Sequence, residues 1–439
     1  MKGKATFTLT NAATGRVERE FTEHNLVTNA VSRLLSPPGY TIMGKFSWSD
    51  FIGTSLPLYK ELFGGIMLLS TTLTESADTV MLPPDCIPLA TAGDAYAGSL
   101  ATRGSLNLNE TGETGNGYHF VWDFGTDKAN GTINCVALTS RLFGNTGFSS
   151  DEKTGGLIMN PVTKTAIGPT DKFCHSYGLY LATTEKFTHL YVQKNSSSEL
   201  IFTRVKSVDP QNICINDSVN INTLQEAYDT RSVMLPIECD NITRPYLDAA
   251  ENKVYFFAKQ YNTENESYID YVSVDLDTFA VSTKKRWPTS QKFNYITAAA
   301  IHGGRLYAAW SDILTAFSAS GEIAGNWTTK CSGDLWFSNL NGVLTMHAYN
   351  GYSYSLYSGN WYSAFNDATS PFAFGASVDI KPPYYPVHGI SQYYNVAHKS
   401  TIDPYLGAAA NYVATVNNLA APLVKTNEHT LKIAYDITN

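Results

Sequence analysis

The final twelve residues of the chain, EHTLKIAYDITN (428–439), alternate between apolar and polar side chains. In an extended strand, four apolar residues fall on one face: Leu431, Ile433, Tyr435 and Ile437. The opening stretch, MKGKATFTLTN (1–11), alternates in the same way. Half-buried strands at both chain ends need partners, so we predict that the two ends share one folded platform. The four apolar residues would anchor that platform.

The composition favours a mainly β protein. Charged residues make up 16% of the chain and aromatic residues 13%, a balance that suits strands and turns. A length of 439 residues exceeds one ordinary core and predicts two or three domains.

Two short helices are predicted, one near each chain end. The stretch NLVTNAVSRLLSPPG (25–39) has apolar residues at three-to-four spacing, with Asn25 as the predicted cap. The stretch DPYLGAAANYVATVNNLAAP (403–422) has the same spacing, with Asp403 as the cap and Pro404 in the first turn. Between them, residues 118–124 and 133–139 alternate as strands. Both faces of the second are apolar, which predicts an inner strand.

The middle of the chain carries a loose internal repeat. The stretches AAENKVYFFAKQ (249–260), AIHGGRLYAAWSD (300–312) and SNLNGVLTMHAYN (338–350) each place a turn before a β-rich strand, and a further strand pair follows each one. An earlier copy begins at Gly178. Units of roughly 40 to 50 residues match the period of propeller blades. The alternative is a second β-sandwich with similar hairpins.

These patterns predict a split organisation. Residues 1–165 and 370–439 would form a β-sandwich-like platform, the latter contributing a helix and the closing strand. Residues 170–365 would form an inserted β-propeller-like domain.

The stretch AYNGYSYSLYSGNWYSAF (348–365) is the best candidate for a binding surface. It carries six aromatic residues separated by small polar ones: Tyr349, Tyr352, Tyr354, Tyr357, Trp361 and Tyr362. Tyrosine and tryptophan suit platforms for sugar rings or protein epitopes, so we predict receptor or glycan contact here. The alternative is that the rings pack between blades. A second set, Tyr384, Tyr385, Tyr393 and Tyr394, is expected to pack against the platform or a neighbouring subunit.

No catalytic residue, cofactor or metal site is predicted. Glycoside hydrolysis would need two facing carboxylates. The candidate acids sit at or near predicted turns, where solubility and Asx-turns explain them: Asp270, Asp275, Asp277, Asp312, Glu322 and Asp334. The six cysteines have no paired spacing, which predicts buried free thiols, and the nine histidines are scattered.

Charge and hydropathy exclude two further classes of partner. The net charge of −8 is spread out with no basic cluster, so nucleic acid is not expected. The apolar runs are too short for membrane insertion, and no signal-peptide core is visible at the start, which predicts synthesis in the cytoplasm.

Three stretches together resemble virion structural proteins of tailed bacteriophages that infect Gram-positive gut bacteria. They are TEHNLVTNAV (22–31), residues 103–140 around GYHFVWDFGTDKANGTINCVALTS, and residues 403–438. The resemblance implies a tail-associated fibre or baseplate protein of the virion, which contacts other virion proteins and a bacterial surface glycan or protein. Such proteins are commonly symmetric homo-oligomers, and we expect a trimer. The alternatives are a phage glycan depolymerase and a head or collar decoration protein.

Overall fold

The computed structural model describes residues 2–35, 58–146, 159–166, 178–183, 188–206, 227–258, 267–291, 295–340, 342–350, 352–366, 372–374, 376–377, 381–389, 404–409 and 411–438. In these ranges the chain is mainly β, which confirms the predicted fold class. None of the helices there is long and apolar enough to cross a bilayer.

The two ends of the chain lie side by side in one sheet. All ten residues of β1 (Lys2–Asn11) pair antiparallel with β32 (His429–Thr438), from Lys2 opposite Thr438 to Asn11 opposite His429. The sheet runs β2-β1-β32-β8-β6, with β7 beside β8. The other strands are β2 (Val17–His24), β6 (Ser105–Leu106), β7 (Gly112–Thr114) and β8 (Gly117–Phe124). We call it the terminal sheet.

A second sheet packs against the terminal sheet. It runs β3-β31-β9-β4-β5, with β3 (Leu26–Val27), β31 (Thr415–Lys425), β9 (Gly131–Thr139), β4 (Gly65–Leu69) and β5 (Ala90–Ala92). Strand β9 is an inner strand and is buried from residue 135 to residue 139, as predicted. One core joins the two sheets and includes all four predicted anchors: Leu431, Ile433, Tyr435 and Ile437. We call this sandwich the platform.

Three short helices accompany the platform: α1 (Asn29–Leu35), α2 (Leu58–Phe63) and α3 (Arg141–Thr146). The predicted cap of α1 is wrong. Thr28 is the cap, because its Oγ1 accepts a hydrogen bond from the Ala30 N–H at 3.2 Å. Leu26 and Val27 pair with β31 instead of joining the helix, and Asn25 precedes that strand.

The predicted helix over 403–422 is also wrong. The structure has β30 (Pro404–Ala409) and then β31 in its place. Residues 411–417 are buried without a break, and Ala414 N donates to Leu138 O at 2.8 Å. Residues that are buried on both sides of the chain need not alternate between apolar and polar. The apolar residues of this segment therefore fell at intervals of three and four, as they would in a helix.

The middle of the chain folds into four successive antiparallel meanders of four strands each. The first contains β11 (Leu179–Thr183), β12 (Thr188–Lys194), β13 (Glu199–Lys206) and β14 (Ala227–Met234). The second contains β15 (Tyr246–Asp248), β16 (Lys253–Phe257), β17 (Tyr268–Asp275) and β18 (Lys285–Pro288). The third contains β19 (Ala298–His302), β20 (Arg305–Trp310), β21 (Ile313–Phe317) and β22 (Ile323–Thr328). The fourth contains β23 (Leu335–Leu340), β24 (Val343–Ala348), β25 (Tyr352–Tyr357) and β26 (Asn360–Asn366).

These meanders have the strand arrangement of propeller blades. The repeat predicted from sequence corresponds to them. Its turns join the first and second strands of the second, third and fourth meanders. Gly303 and Gly304 have φ of 55° and 72°, the left-handed pair that a two-residue hairpin turn requires.

Outside the platform, the described residues form a fifth sheet besides the four meanders. Its strands come from chain segments before and after the meanders in sequence. It runs β10-β30-β29-β27, with β10 (Met159–Ala166), β27 (Phe372–Phe374) and β29 (Tyr384–Gly389). A two-residue strand, β28 (Ala376–Ser377), pairs parallel with β11 of the first meander. Strands of the fifth sheet therefore lie on both sides of the predicted propeller range of 170–365, with β10 before it and β27, β29 and β30 after it.

Candidate binding site

The fourth meander contacts the platform through the turns at one end of its strands. Ser358 Oγ, in the turn between β25 and β26, donates a hydrogen bond to Asp85 O at 2.8 Å. Gly342, before β24, lies so close to the platform that a Cβ there would be 2.9 Å from Pro84 Cγ. Tyr357, at the end of β25, belongs to the platform core.

Alternate turns of an antiparallel meander lie at opposite ends of its strands. The turn between β24 and β25 therefore lies at the end remote from the platform, which we call the distal end. Because blades repeat around one axis, the equivalent turns of the other meanders lie there too. The described residues of the distal connections, which follow β12, β14, β16, β18, β20, β22 and β24, are 195–198, 235–245, 258, 267, 289–291, 295–297, 311–312, 329–334 and 349–350.

The six aromatic residues predicted to bind a receptor do not form one surface. Tyr352, Tyr354 and Trp361 are half-buried against the core shared by the second, third and fourth meanders. The Trp361 ring centroid lies 5.8 Å from that of Tyr307 and 6.3 Å from that of Trp327, both in the third meander. For these three residues the structure matches the alternative of packing between blades.

The remaining three aromatic residues lie in two other places. Tyr357 is 1% exposed in the platform core, and the half-buried Tyr362 packs on it with ring centroids 6.4 Å apart. Tyr349 is 42% exposed in a distal turn. Its contact with a receptor stays a prediction. Tyr384 and Tyr385 lie in β29, and Tyr393 and Tyr394 lie outside the described residues.

Four of the six candidate acids occupy turns or connections, as predicted: Asp277, Asp312, Glu322 and Asp334. Asp275 is the last residue of β17, where a turn begins. Its Oδ1 accepts hydrogen bonds from the N–H and Oγ1 of Thr278 at 2.8 and 2.7 Å. The Thr278 N–H lowers the pKa of the Asp275 carboxyl below its usual range. The carboxylate builds an Asx-turn.

Asp270 differs from the other acids because it lies inside strand β17 and lines a cleft. The cleft has a volume of about 410 Å³ and opens between the first and second meanders. Its wall is formed by Ser198, residues 235–238, Asn241, Ala258, Asp270 and Lys284.

Main-chain hydrogen bonds hold the cleft wall in place. Leu235 N donates to Ser198 O at 2.8 Å, and Cys239 N donates to Ser197 O at 2.6 Å. These bonds fix the connection after β14 on the turn between β12 and β13. On the opposite side, Ala258 N donates to Asp270 O at 2.8 Å. Most of the wall lies in connections, and these main-chain bonds tie them to neighbouring turns and strands, which favours a fixed shape.

Two cations hold the Asp270 carboxylate, whose side chain is 14% exposed. Oδ1 accepts a hydrogen bond from Arg286 Nε at 3.0 Å, and Oδ2 lies 3.5 Å from Lys284 Nζ. The Arg286 guanidinium in turn lies over the Tyr268 ring, 3.3 Å from its centroid. The cations balance the charge of Asp270 and fix its orientation.

Glu238 supplies a second carboxylate to the cleft. Its Oε2 accepts a hydrogen bond from Asn241 Nδ2 at 3.1 Å, and its main-chain carbonyl accepts one from Asn241 N at 3.2 Å. Glu238 precedes a short 3-10 turn, Cys239–Asn241, and Asn241 is its last residue. The cleft thus offers two carboxylates, one ammonium group and aliphatic carbon.

A second set of polar side chains is completely enclosed in the fourth meander. His347 bonds Ser338 Oγ through Nε2 at 2.7 Å and Ser353 Oγ through Nδ1 at 2.8 Å. Its ring stacks on Trp336 with centroids 5.5 Å apart. Burial lowers the pKa of His347 to about 3, so the imidazole is neutral at physiological pH. Since all four residues are buried, the set is structural.

The described cysteines are free thiols, as predicted: Cys86, Cys135, Cys239 and Cys331. Burial raises the pKa of Cys135 and Cys239 to about 11, which makes both thiols unreactive. Cys174 and Cys214 lie outside the described residues. Among the residues that the structure describes, no three His, Cys, Asp or Glu side chains are placed to hold a metal ion together.

Sequence reasoning missed four residues of the cleft: Ser198, Glu238, Asn241 and Lys284. They come from two meanders and are far apart along the chain, so no local pattern joins them. One feature of the sequence could have indicated Lys284. The basic triplet 284–286 lies at the start of the strand that follows Asp270, where a basic side chain can form an ion pair with the carboxylate across the two strands.

No protein-family model matches the chain, and no curated protein matches it. Among solved structures, it is similar to BamB from Moraxella catarrhalis, at 9% identity over 79% of this chain and 99% of that one, with a TM-score of 0.24. It is also similar to the β-propeller domain of the trilobed protease from Pyrococcus furiosus, at 12% identity over 54% and 72% of the chains, with a TM-score of 0.24.

A third similar structure is the catalytic domain of the GH62 α-L-arabinofuranosidase of Coprinopsis cinerea. It is 9% identical over 56% of this chain and 95% of that one, with a TM-score of 0.31. Scores this low carry no inference about activity. The description of the blade-like sheets rests on the strand pairing of this chain.

Proposed function

We propose that this chain is a non-enzymatic attachment protein of a tailed bacteriophage virion, placed on the tail. The platform holds it among other virion proteins in a homo-oligomer. The distal end of the propeller-like unit contacts a glycan or protein of the bacterial surface.

The observation that best supports this proposal is the difference between the two ends of the propeller-like unit. The turns at one end of the fourth meander pack on the platform, through Ser358 and Gly342. The opposite end carries exposed apolar residues of three meanders: Met234 at the end of β14 is 60% exposed, and Tyr295 and Tyr349 in connections are 46% and 42% exposed. A fixed base and an outer end with exposed apolar side chains suit a protein that presents one face to a partner.

The virion assignment is supported by the sequence resemblance. The stretches that carry it cover the end of β2, β3, the start of α1 and strands β6–β9, β31 and β32 of the platform, together with β30 of the fifth sheet. A non-enzymatic role is favoured by the candidate acids. The Asp275 carboxylate accepts a hydrogen bond within its own turn, and the Asp270 carboxylate forms ion pairs with Arg286 and Lys284.

The proposal is tested on purified phage particles whose genome encodes this chain. Mass spectrometry should find the protein in several copies per particle, and gold-labelled antibodies should mark the tail. Purified protein should bind host cells, and cells treated to remove surface glycan should show whether the receptor is a sugar. Absence of the protein from particles would overturn the virion assignment, whereas label on the head or collar would favour the decoration protein.

The same purified protein separates attachment from depolymerisation. We expect no release of reducing sugar from host wall polysaccharide during prolonged incubation. Release that is abolished in Asp270→Asn, but kept in Asp277→Asn, would make the protein a depolymerase and refute the non-enzymatic role.

A further inference from the structure

We propose that the cleft between the first and second meanders is a binding site for a neutral saccharide. Asp270 and Glu238 would accept hydrogen bonds from sugar hydroxyls, and Lys284 would donate one. The biological source of the sugar rests on the proposed attachment function, but saccharide binding itself does not.

The size and position of the cleft suit a small ligand. Its volume of about 410 Å³ lies in the range of small-molecule sites, roughly 300–1,000 Å³. Ser198, residues 235–238 and Asn241 belong to distal connections, so much of the wall lies at the end remote from the platform. A ligand on a cell surface would reach this end first.

The polar groups of the cleft have hydrogen-bonding capacity left for a ligand. An ionised carboxylate accepts about four hydrogen bonds. Arg286 occupies one position on Asp270 Oδ1, and Lys284 Nζ lies 3.5 Å from Oδ2, longer than a strong hydrogen bond. Lys284 has a side chain 48% exposed and three N–H donors.

Burial and chain geometry orient these groups before a ligand arrives. Asp270 is fixed by its ion pairs, and Glu238 is fixed by Asn241. Binding would therefore lose little side-chain entropy at these two acceptors.

The apolar part of the wall complements the C–H groups of a sugar ring. Pro236 is exposed and Ala258 is half-buried, while Leu235 and Ile237 are buried behind them. Aliphatic carbon beside fixed acceptors is what a ring with C–H and O–H groups requires.

The charge of the lining favours a neutral ligand over an ion. The two carboxylates, Asp270 and Glu238, are matched in number by two cations, since Arg286 and Lys284 both lie at Asp270. An anion would meet two carboxylates and a cation would meet Lys284 and Arg286. A polyhydroxyl ligand can donate to the acids and accept from the lysine without burying a net charge.

Saturation-transfer NMR with the full chain tests this inference. Glucose, galactose, N-acetylglucosamine and maltose would each be offered at about 10 mM, a concentration that detects weak binding. We expect saturation transfer to at least one sugar, with a loss of affinity of about tenfold or more in Lys284→Met and in Glu238→Gln. Asp277→Asn, a change in a turn of the same meander outside the cleft, should bind like the wild type.

Asp270→Asn is the strongest variant but also removes an ion pair with Arg286, so its thermal unfolding is measured in parallel. Lys284→Met retains the contact between Asp270 and Arg286 and keeps the test valid if Asp270→Asn unfolds. No transfer to any of the four sugars, or equal transfer in wild type, Lys284→Met and Glu238→Gln, would overturn the inference.

The two proposals fail independently. Wild-type binding of host cells by Lys284→Met and Glu238→Gln, together with failed sugar binding, would refute the cleft and leave the attachment function standing. Sugar binding in the cleft by a protein absent from particles would do the reverse.

Discussion

Lys425 is a charged residue that is only 1% exposed, at the end of strand β31. Its Nζ donates hydrogen bonds to Gly125 O at 2.7 Å and to Asn130 Oδ1 at 3.0 Å. These acceptors lie in the connection that carries the chain from β8 in one platform sheet to β9 in the other. Lys425 therefore hydrogen-bonds the end of β31 to the connection between the two sheets.

The stability contributed by Lys425 should depend on pH. Burial lowers its pKa from 10.5 to about 8. Between pH 8 and 10.5 the unfolded chain binds a proton at Lys425 that the folded chain does not, so its contribution to stability rises with pH. The free energy of unfolding of wild type minus that of Lys425→Met should increase by roughly 1 kcal/mol per pH unit in this window. Urea unfolding of both proteins at pH 7 and pH 9.5 measures this difference, and a constant difference would contradict the prediction.

His347 should make the folded chain sensitive to acid. Burial lowers its pKa from 6.5 to about 3, so its contribution to stability is complete above pH 6.5 and is lost as pH falls towards 3. His347→Gln keeps hydrogen-bonding groups but cannot titrate in this range. The variant should lose less stability than wild type between pH 7 and pH 4.5 in urea unfolding. Parallel losses would show that His347 does not titrate as its burial requires.

At the level of elements, β32 is the strand on which the terminal sheet depends. It lies between β1 and β8 and contributes Ile433 and Tyr435 to the core, each 0% exposed. Its polar residues face outward, where Lys432 pairs with Glu110 at 2.6 Å and Asp436 with His119 at 2.6 Å. The alternation seen in the sequence therefore separates core from surface.

A core substitution in β32 should be costly, and a surface substitution should not. Ile433→Ala is expected to lower the free energy of unfolding by about 2–5 kcal/mol, because it removes buried methyl groups from a packed core. Thr430→Ala, on the other face of the same strand, should change it by less than about 0.5 kcal/mol. Chemical denaturation of both variants measures the difference, and similar costs would contradict the observed register.

Removing β32 should loosen the first strand of the chain. Deletion of residues 430–439 leaves β1 and β8 without the strand between them. Hydrogen exchange followed by mass spectrometry should show a larger rise in exchange rate for the amides of β1 and β8 than for those of β20 in the third meander. Unchanged protection of β1 would mean that its pairing with β32 adds nothing to stability.

The sequence predicted elements whose signal is local. The terminal strands β1 and β32 followed from their alternation, and the turn before β20 followed from the repeat in the middle of the chain. The segment 403–422 misled because residues 411–417 are buried without a break, so the alternating signal is lost. The cleft around Asp270 could not be predicted, since it exists only after two meanders pack together.

In the whole molecule, the fourth meander joins the propeller-like unit to the platform. Tyr357 is 1% exposed and belongs to the platform core although it lies in β25. Val343 of β24 enters the same core. The two units therefore share buried apolar surface and should unfold together.

Truncation of the shared residue should uncouple the units. Tyr357→Ala is expected to cost about 3–5 kcal/mol and to split one thermal transition into two in calorimetry. Tyr349→Ala, the same change at an exposed position of the same sheet, should leave the transition single. A single, slightly lowered transition in Tyr357→Ala would show that the coupling does not depend on this residue.

The pairing of β1 with β32 determines when the terminal sheet can form during synthesis. β1 is made long before β32, and β10 likewise long before β30. Until β32 has been synthesised, β1 has β2 on one side and an open edge on the other, a known route to aggregation. Each nascent chain must therefore keep β1 from pairing with neighbouring chains during that interval.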